Sequence, residues 1–160
     1  MKISDFAPRT GFIEVFLTGI NLVGVEVGTD VGAHAESLLT HCSIEKLTLI
    51  DPWVNTYMEG YAAGRLSRWR NKICMEKMTS QQAVKLFGVR TLDFVYLDRE
   101  HTYEAGKFDF DNWWPLIKEG GILALRNYNG NPGLKKAADE FIIGKRWEVE
   151  NYLNEILIFK

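Results

Sequence analysis

Short apolar runs, most of them closed by glycine, proline or an acidic residue, alternate along this chain with stretches whose apolar positions recur at helical spacing. Asn21–Gly28 (NLVGVEVG) is Val-rich and nearly continuous, the pattern of a strand covered on both faces. VGAHAESLLTHC then sets Ala35, Leu38, Leu39 and Cys42 on one helical stripe. Lys46–Asp51 (KLTLID) is a second strand, stopped by Pro52. NTYMEGYAAGRLSRWRN has weak helical periodicity and precedes a third strand, KICME. SQQAVKLF predicts a helix starting near Thr79 or Ser80, both good N-caps. LDFVYLD is the fourth strand, and TYEAGKFDFDNWWPLIKEGG predicts an amphipathic helix ended by its glycines. Within that helix the aromatic residues are expected in the core, with Asp109 and Asp111 on the exposed side. ILALRNY is the fifth strand, and PGLKKAADEFI a helix with proline in its first turn. Arg146–Val149 and Glu155–Phe159 close the chain as two β-runs about a polar turn.

Strands that alternate with helices imply an α/β fold with a doubly wound, mostly parallel sheet. The closing pair has no helix between its members, so it is expected to be antiparallel and to leave one strand reversed. In such sheets ligands bind at the carboxyl ends of the strands. Those ends are Val27–Thr29, Ile50–Trp53, Glu76–Ser80, Leu97–His101 and Arg126–Asn129.

Composition narrows the class without naming the chemistry. At 160 residues, with no repeat and no linker-like stretch, residues 1–160 are expected to form one domain. A net charge of −2 and a pI near 5.9 give no general pull toward nucleic acid or acidic lipid. The basic run RLSRWRNK (Arg65–Lys72) is read as a solvated helix face rather than a nucleic-acid patch. Cys42 and Cys74 lack metal-ligand spacing and are expected to be reduced thiols. No apolar run approaches membrane-spanning length, and MKISDFAPRT lacks a signal-peptide core, so a cytoplasmic enzyme or binding domain is expected.

The first two strand ends carry ligand-binding chemistry. In GVEVGTDVGAHAESLL, Glu26 lies late in the strand, and Gly28 and Gly32 stand in the turn that follows. Glycine there allows positive φ and close approach to a ligand, and the free amides of the helix start suit an anionic group. The dinucleotide fingerprint is absent, because Asp30 stands where its second glycine would be. An acid there suits a cationic amino group better than a pyrophosphate. Asp51 is placed either to accept hydrogen bonds from ribose hydroxyls or to act as a turn device before Pro52.

Together these features resemble class I S-adenosylmethionine (SAM)-dependent methyltransferases. The Glu-x-Gly-x-x-x-Gly turn is similar to that family's first motif and LIDPW to its second. DFVYLDREHTYEAGKFDFDNWWPLIKEGGILALRNY is similar to the macrolide-sugar and cephalosporin-type O-methyltransferases, and TSQQAV to the Ser-Gln segment of catechol O-methyltransferase. The resemblance implies a seven-stranded Rossmann-like sheet with a reversed last strand and SAM as cofactor. It places Gly28, Thr29, Asp30 and Gly32 around the methionine part, with Glu26 beneath it or near its amino group. It assigns Asp51 to the ribose, Pro52 and Trp53 to the adenine face, and Thr79, Ser80 and Gln81 to the adenine edge. Asp98 would face the methionine amino group or a metal. His34 replaces the small hydroxyl residue usual in the family. A neutral imidazole there donates one hydrogen bond to the cofactor, or else it caps the helix or lies on the surface.

Methyl transfer to a hydroxyl requires alignment of the nucleophile and removal of its proton. In metal-dependent relatives a divalent ion at the ends of strands four and five lowers the hydroxyl pKa. Here Asp98 matches the first ligand, but the second pair reads Arg126-Asn127, and an arginine cannot ligate a metal. The metal-free route is therefore preferred, with His101 as general base and Arg126 or Arg99 steering an anionic substrate oxygen; a divalent metal on Asp98 and Asn127, with Glu100 as an added ligand, is the disfavoured alternative. In the alternative, His101 caps the next helix and Arg126 pairs with Asp98 or Glu100. The expected function is O-methylation of a small polar acceptor such as a sugar or natural product. The rivals are a non-catalytic protein that keeps the cofactor turn and an NAD-dependent oxidoreductase. Only about twenty residues precede strand one by this reading. Covering the site would then fall to a partner subunit, as in a homo-oligomer, or to the loop Asn55–Arg65.

Overall fold

The structure is a computed structural model that describes residues 12–98 and 102–160. Its elements are β1 (Leu22–Val27), α1 (Ala33–His41), β2 (Ile44–Asp51), α2 (Thr56–Arg65), β3 (Ile73–Lys77) and α3 (Ser80–Ala83). They continue with β4 (Leu92–Leu97), α4 (Tyr103–Trp113), β5 (Ile117–Arg126), α5 (Pro132–Ile142), β6 (Val149–Tyr152) and β7 (Glu155–Phe159). The strands form one seven-stranded sheet in the order β3-β2-β1-β4-β5-β7-β6. All pairings through β5 are parallel, while β7 runs antiparallel to both β5 and β6. The α/β, mostly parallel sheet with its reversed last strand is thus as expected. No helix among the described residues is long and apolar enough to cross a membrane.

Strict alternation divides the strand side chains between two cores. Phe94 and Tyr96 of β4, Ile122 and Ala124 of β5 and Leu157 of β7 face the layer that holds α1, α2 and the 3-10 turn Phe12–Val15. Val95, Leu97, Leu123, Leu125, Ile156 and Ile158 face α4 and α5. The continuous apolar strands follow from this double coverage. The Phe94 ring lies across β1 at Gly24, where a Cβ would stand 2.1 Å from Phe94 Cζ. Cys42 lies in the first core, and burial, with Glu14 nearby, pushes its thiol up to about 11. A native-state thiol titration at pH 8 is therefore expected to label the half-buried Cys74 first. Labelling Cys42 should require unfolding; equal rates for the two thiols would contradict this.

Local chemistry sets the helix starts. Thr79 caps α3 through a capping box in which its side chain accepts from the Gln82 amide and the Gln82 side chain accepts from the Thr79 amide. Thr102 caps α4, and Asn131 caps α5 ahead of Pro132.

Three expectations need correction. The helix expected to run to Gly120–Gly121 stops at Trp113, and one 3-10 turn, Trp114–Leu116, leads directly into β5. The glycines form an irregularity inside that strand, where Gly120 has φ 78° and the β4–β5 register shifts. It is held by the Gly120 amide donating to the Lys160 carbonyl and the Lys160 amide donating to the Gly121 carbonyl. Next, β6 begins at Val149, three residues later than Arg146. Trp147 packs instead against Trp114 and Phe141, at centroid distances of 4.3 and 5.0 Å, which draws its segment away from the sheet. Finally, Asp109 is buried at 3% exposure, not exposed; only Asp111 lies outside, paired with Lys107. Asp109 accepts a hydrogen bond from the Ser80 hydroxyl, which itself accepts from Trp113 Nε1 at 2.8 Å.

Candidate active site

The carboxyl end of β1 turns sharply into α1. Gly28 (φ 93°), Asp30 (φ 49°) and Gly32 (φ 75°) all adopt left-handed backbone there. The Gly28 amide donates to the Ile50 carbonyl and the Gly32 amide to the Thr29 carbonyl, both at 2.8 Å, which fixes the loop against β2. Asp51, at the end of β2, completes the frame by accepting from the amides of Asp30 (3.0 Å) and Trp53 (2.7 Å). It therefore acts as a turn device. Its carboxylate retains further lone pairs, so the arrangement is compatible with a ribose contact as well. Pro52 is exposed beside it. Trp53 differs from expectation: its ring is 2% exposed within the first core, and its Nε1 donates to the Asp30 carbonyl at 2.8 Å. It supports the turn from beneath and offers no open face for an adenine.

Glu26 and His34 meet under this turn. His34 Nδ1 lies 2.8 Å from Glu26 Oε1, with side-chain exposures of 10% and 2%. The imidazole stacks on the Tyr96 ring at a centroid distance of 3.8 Å and an interplanar angle of 25°. Burial opposes a charge on His34. The hydrogen bond and charge of Glu26, with Glu155 and Glu14 farther off, outweigh it and raise the imidazole pKa above its ordinary value. The capping and surface alternatives for His34 are thus corrected: the side chain is nine-tenths buried and bonded to Glu26. Glu26 Oε2, Thr29 Oγ1 and His34 Nε2 are buried with no hydrogen-bond partner among the described residues. Such atoms are costly unless a bound group satisfies them, so the turn fits a polar ligand that carries both donors and acceptors.

Beyond β3, Thr79 is half-buried at its cap and Gln81 is exposed. The Ser80 side chain departs from expectation. At 1% exposure its hydroxyl is bonded to Asp109 and Trp113 on the far side of the sheet, so only its backbone remains for a ligand.

At the ends of β4 and β5, Arg126 donates to Asp98 at 2.9 Å, the ion pair weighed as an alternative. Glu155 of β7 stands opposite Arg126 in the sheet and accepts from the Tyr96 hydroxyl at 2.6 Å. Burial and this carboxylate hold the Tyr96 phenol well above its usual range. Asn127, with φ 61°, accepts from the side-chain amide of Asn154 at 3.0 Å. Among the described residues the oxygens here do not fit a divalent ion, since Asp98 is bonded to the Arg126 guanidinium and no second carboxylate joins it there. No group of three or more His, Cys, Asp or Glu that could hold a metal ion occurs among the described residues. His101, with Arg99 and Glu100, lies outside the described residues.

The structure thus gathers Glu26, Gly28, Thr29, Asp30, Gly32, His34 and Asp51 at one place, with Asp98 and Arg126 on the neighbouring strands. Sequence reasoning missed Tyr96, Glu155 and Glu14. Alternation along β4 could have found the first, because Tyr96 shares a sheet face with Asp98. The other two depend on tertiary contacts.

A family model described as a methyltransferase domain matches residues 25–128. Among solved structures, a Corynebacterium glutamicum protein superposes with a TM-score of 0.76 at 15% identity, covering 96% of this chain and 82% of its own. An O-methyltransferase from Bacillus cereus, solved in complex with S-adenosylhomocysteine (SAH), has a TM-score of 0.71 at 10% identity, with coverage of 98% and 86%. The O-methyltransferase TomG from Streptomyces achromogenes, solved with SAM, has a TM-score of 0.70 at 14% identity, with coverage of 92% and 76%. No curated protein matches the chain in sequence.

Proposed function

This chain belongs to the methyltransferase-domain family, and on that premise we propose that it is a SAM-dependent enzyme that methylates a hydroxyl of a small polar acceptor. The observation that carries the reading is the turn from Glu26 to Gly32, where left-handed backbone and buried, unpartnered Glu26 and Thr29 oxygens converge. In this proposal Glu26, Gly28, Thr29, Asp30 and Gly32 hold the amino-acid part of the cofactor, and Asp51 holds the ribose. Thr79, Gln81 and the Ser80 backbone border the adenine, with Pro52 beside it. The bound cofactor supplies an electrophilic methyl group on a sulfonium.

The chain's own residues position the acceptor and move its proton. His101 is assigned as general base, since a neutral imidazole can take up the acceptor's proton. Arg126, half-exposed and anchored by Asp98, faces the acceptor side and stabilises a developing oxyanion. One observation favours a second reading, a cofactor-binding protein without catalysis: the guanidinium that closes on Asp98 displaces the oxygen pair a metal-dependent route would need.

Titration calorimetry with SAM and SAH, followed by transfer of a labelled methyl group to a panel of sugars and phenols, tests both readings. Binding together with transfer is expected, and His101→Ala should lower turnover by about 100-fold without changing SAH affinity. Binding without transfer to any acceptor would favour the second reading. Absence of binding would reject both.

A further inference from the structure

Helix α2 turns an apolar face to solvent. The segment Asn55–Arg65, expected as a covering loop, is this helix with Asn55 as its cap. Tyr57 and Tyr61 are 78% and 67% exposed, and Val54, just before the cap, is 92% exposed. Ala62 and the half-buried Met58 carry the core side of the helix, so the core makes no use of the two tyrosines. Beside the rings, Gly60 and Gly64 open two sockets, since a Cβ at either would meet nothing within 4 Å. With Met58, Tyr61, Arg65 and Val31 of the β1–α1 turn they line a hollow of about 700 Å³. An apolar surface of this kind, rimmed by charges, marks an interaction site.

We propose that this face docks a second copy of the chain, with the two α2 helices antiparallel about a two-fold axis. Both charge and spacing point to that occupant. Asp30 and Asp51 stand where α2 begins, tied to each other and to Trp53 by hydrogen bonds. Arg65, Arg68, Arg70 and Lys72 cluster where it ends. Arg65 is taken up by Glu36, but among the described residues Arg68, Arg70 and Lys72 enter no ion pair. Antiparallel helices bring the acidic end of each copy to the basic end of the other. A nucleic acid would meet the basic end alone, be repelled at the acidic one and leave the apolar middle uncovered. The stripe is self-complementary as well. Residues 57, 60, 61 and 64 share one side of the helix. An axis passing between Gly60 and Tyr61 sets Tyr57 over the partner's Gly64 and Tyr61 over the partner's Gly60. Each ring then fills a socket on the other copy, as an isologous contact requires.

The test needs no cofactor and no acceptor, so its outcome is separate from the reading above. Sedimentation velocity of the full chain from about 1 μM to 1 mM should show passage from an 18.3 kDa species to one of twice that mass. Tyr61→Glu drives a carboxylate into the opposite socket and should weaken association by about 30-fold or more. Gly64→Gln fills the other socket with a good helix former. It should weaken association similarly while raising the melting temperature of the dilute chain. Those opposite shifts separate a docking role from a folding one. Arg68→Glu should weaken association less, and added salt should weaken it in the wild type. The proposal is overturned if the wild-type chain stays monomeric throughout, including the case in which it binds a labelled oligonucleotide through Arg68 and Arg70 instead. It is equally overturned if Tyr61→Glu and Gly64→Gln dimerise as tightly as the wild type, since the contact then lies elsewhere.

Discussion

Replacing Trp113 with alanine is expected to lower the melting temperature by roughly 6–20 °C, equivalent to about 3–5 kcal/mol in a chain of this size. Trp113 is fully buried at the end of α4, packed against Phe87 and in one core with Phe110 and Val95. Truncation leaves a cavity the size of an indole, which the rigid sheet beneath cannot fill. It also removes the Nε1 donor to Ser80. That hydroxyl is fully buried and bonded to Asp109, so the loss loosens a polar pair that has no access to water. Trp113→Phe separates the two contributions, because it keeps most of the apolar volume and loses only the donor. Its expected cost is about 0.5–1.5 kcal/mol, the net contribution of one hydrogen bond, since the Ser80 hydroxyl still donates to Asp109. Thermal unfolding followed by circular dichroism measures both variants. Equal melting temperatures for the alanine and phenylalanine forms would show that packing contributes nothing here. A phenylalanine form as stable as wild type would show that the hydrogen bond contributes nothing.

The same region marks where sequence pattern stops being informative. The alternation of apolar runs and helical stripes is local physics, and it located six of the seven strands, with the reversed β7 at its observed limits, met β6 only at Val149, and narrowed the α3 cap to Thr79 or Ser80. Asp109 could not be placed by that logic. An acid flanked by phenylalanines on an amphipathic helix ordinarily faces water, and its burial depends on a serine twenty-nine residues away. Trp53 and Ser80 failed for a related reason. Their positions at strand ends were legible, but the directions of their side chains depend on which core accepts them. Gly120 and Gly121 read as a helix stop because glycine marks helix ends and strand irregularities alike. The true end is set earlier, where Pro115 in the following turn removes an amide donor. At the site, Glu26, the glycines and Asp51 were visible because strand-end chemistry is sequential. The carboxylates that raise the His34 pKa were not, since Glu14 and Glu155 approach it from opposite ends of the chain.

Arg126→Asp is expected to make the protein's stability depend on divalent ions, which the wild type should not show. In the native site the guanidinium bonds Asp98 and stands opposite Glu155 across the β5–β7 pair. The substitution removes that cation and places a like charge opposite Glu155, at a cost of about 0.2–1 kcal/mol. The loss of the Asp98 pair adds little, because Arg126 is 51% exposed and solvent screens the contact. What changes is the donor set. Two carboxylates from adjacent strand ends, with the Asn127 side chain next in sequence, supply hard oxygens suited to Mg²⁺ or Mn²⁺. A ligand that binds only the folded state stabilises it by about 2.7 kcal/mol at a hundred times its Kd, a rise in melting temperature of roughly 5–11 °C. Melting curves of wild type and variant, recorded with a chelator and then with millimolar Mn²⁺, measure this directly. A rise confined to the variant would identify Arg126 as the residue that keeps a divalent ion from the end of β5. An equal rise in the wild type would mean that the guanidinium is no barrier, and the reading of Arg126 as an oxyanion partner rather than a displaced metal ligand would be lost with it.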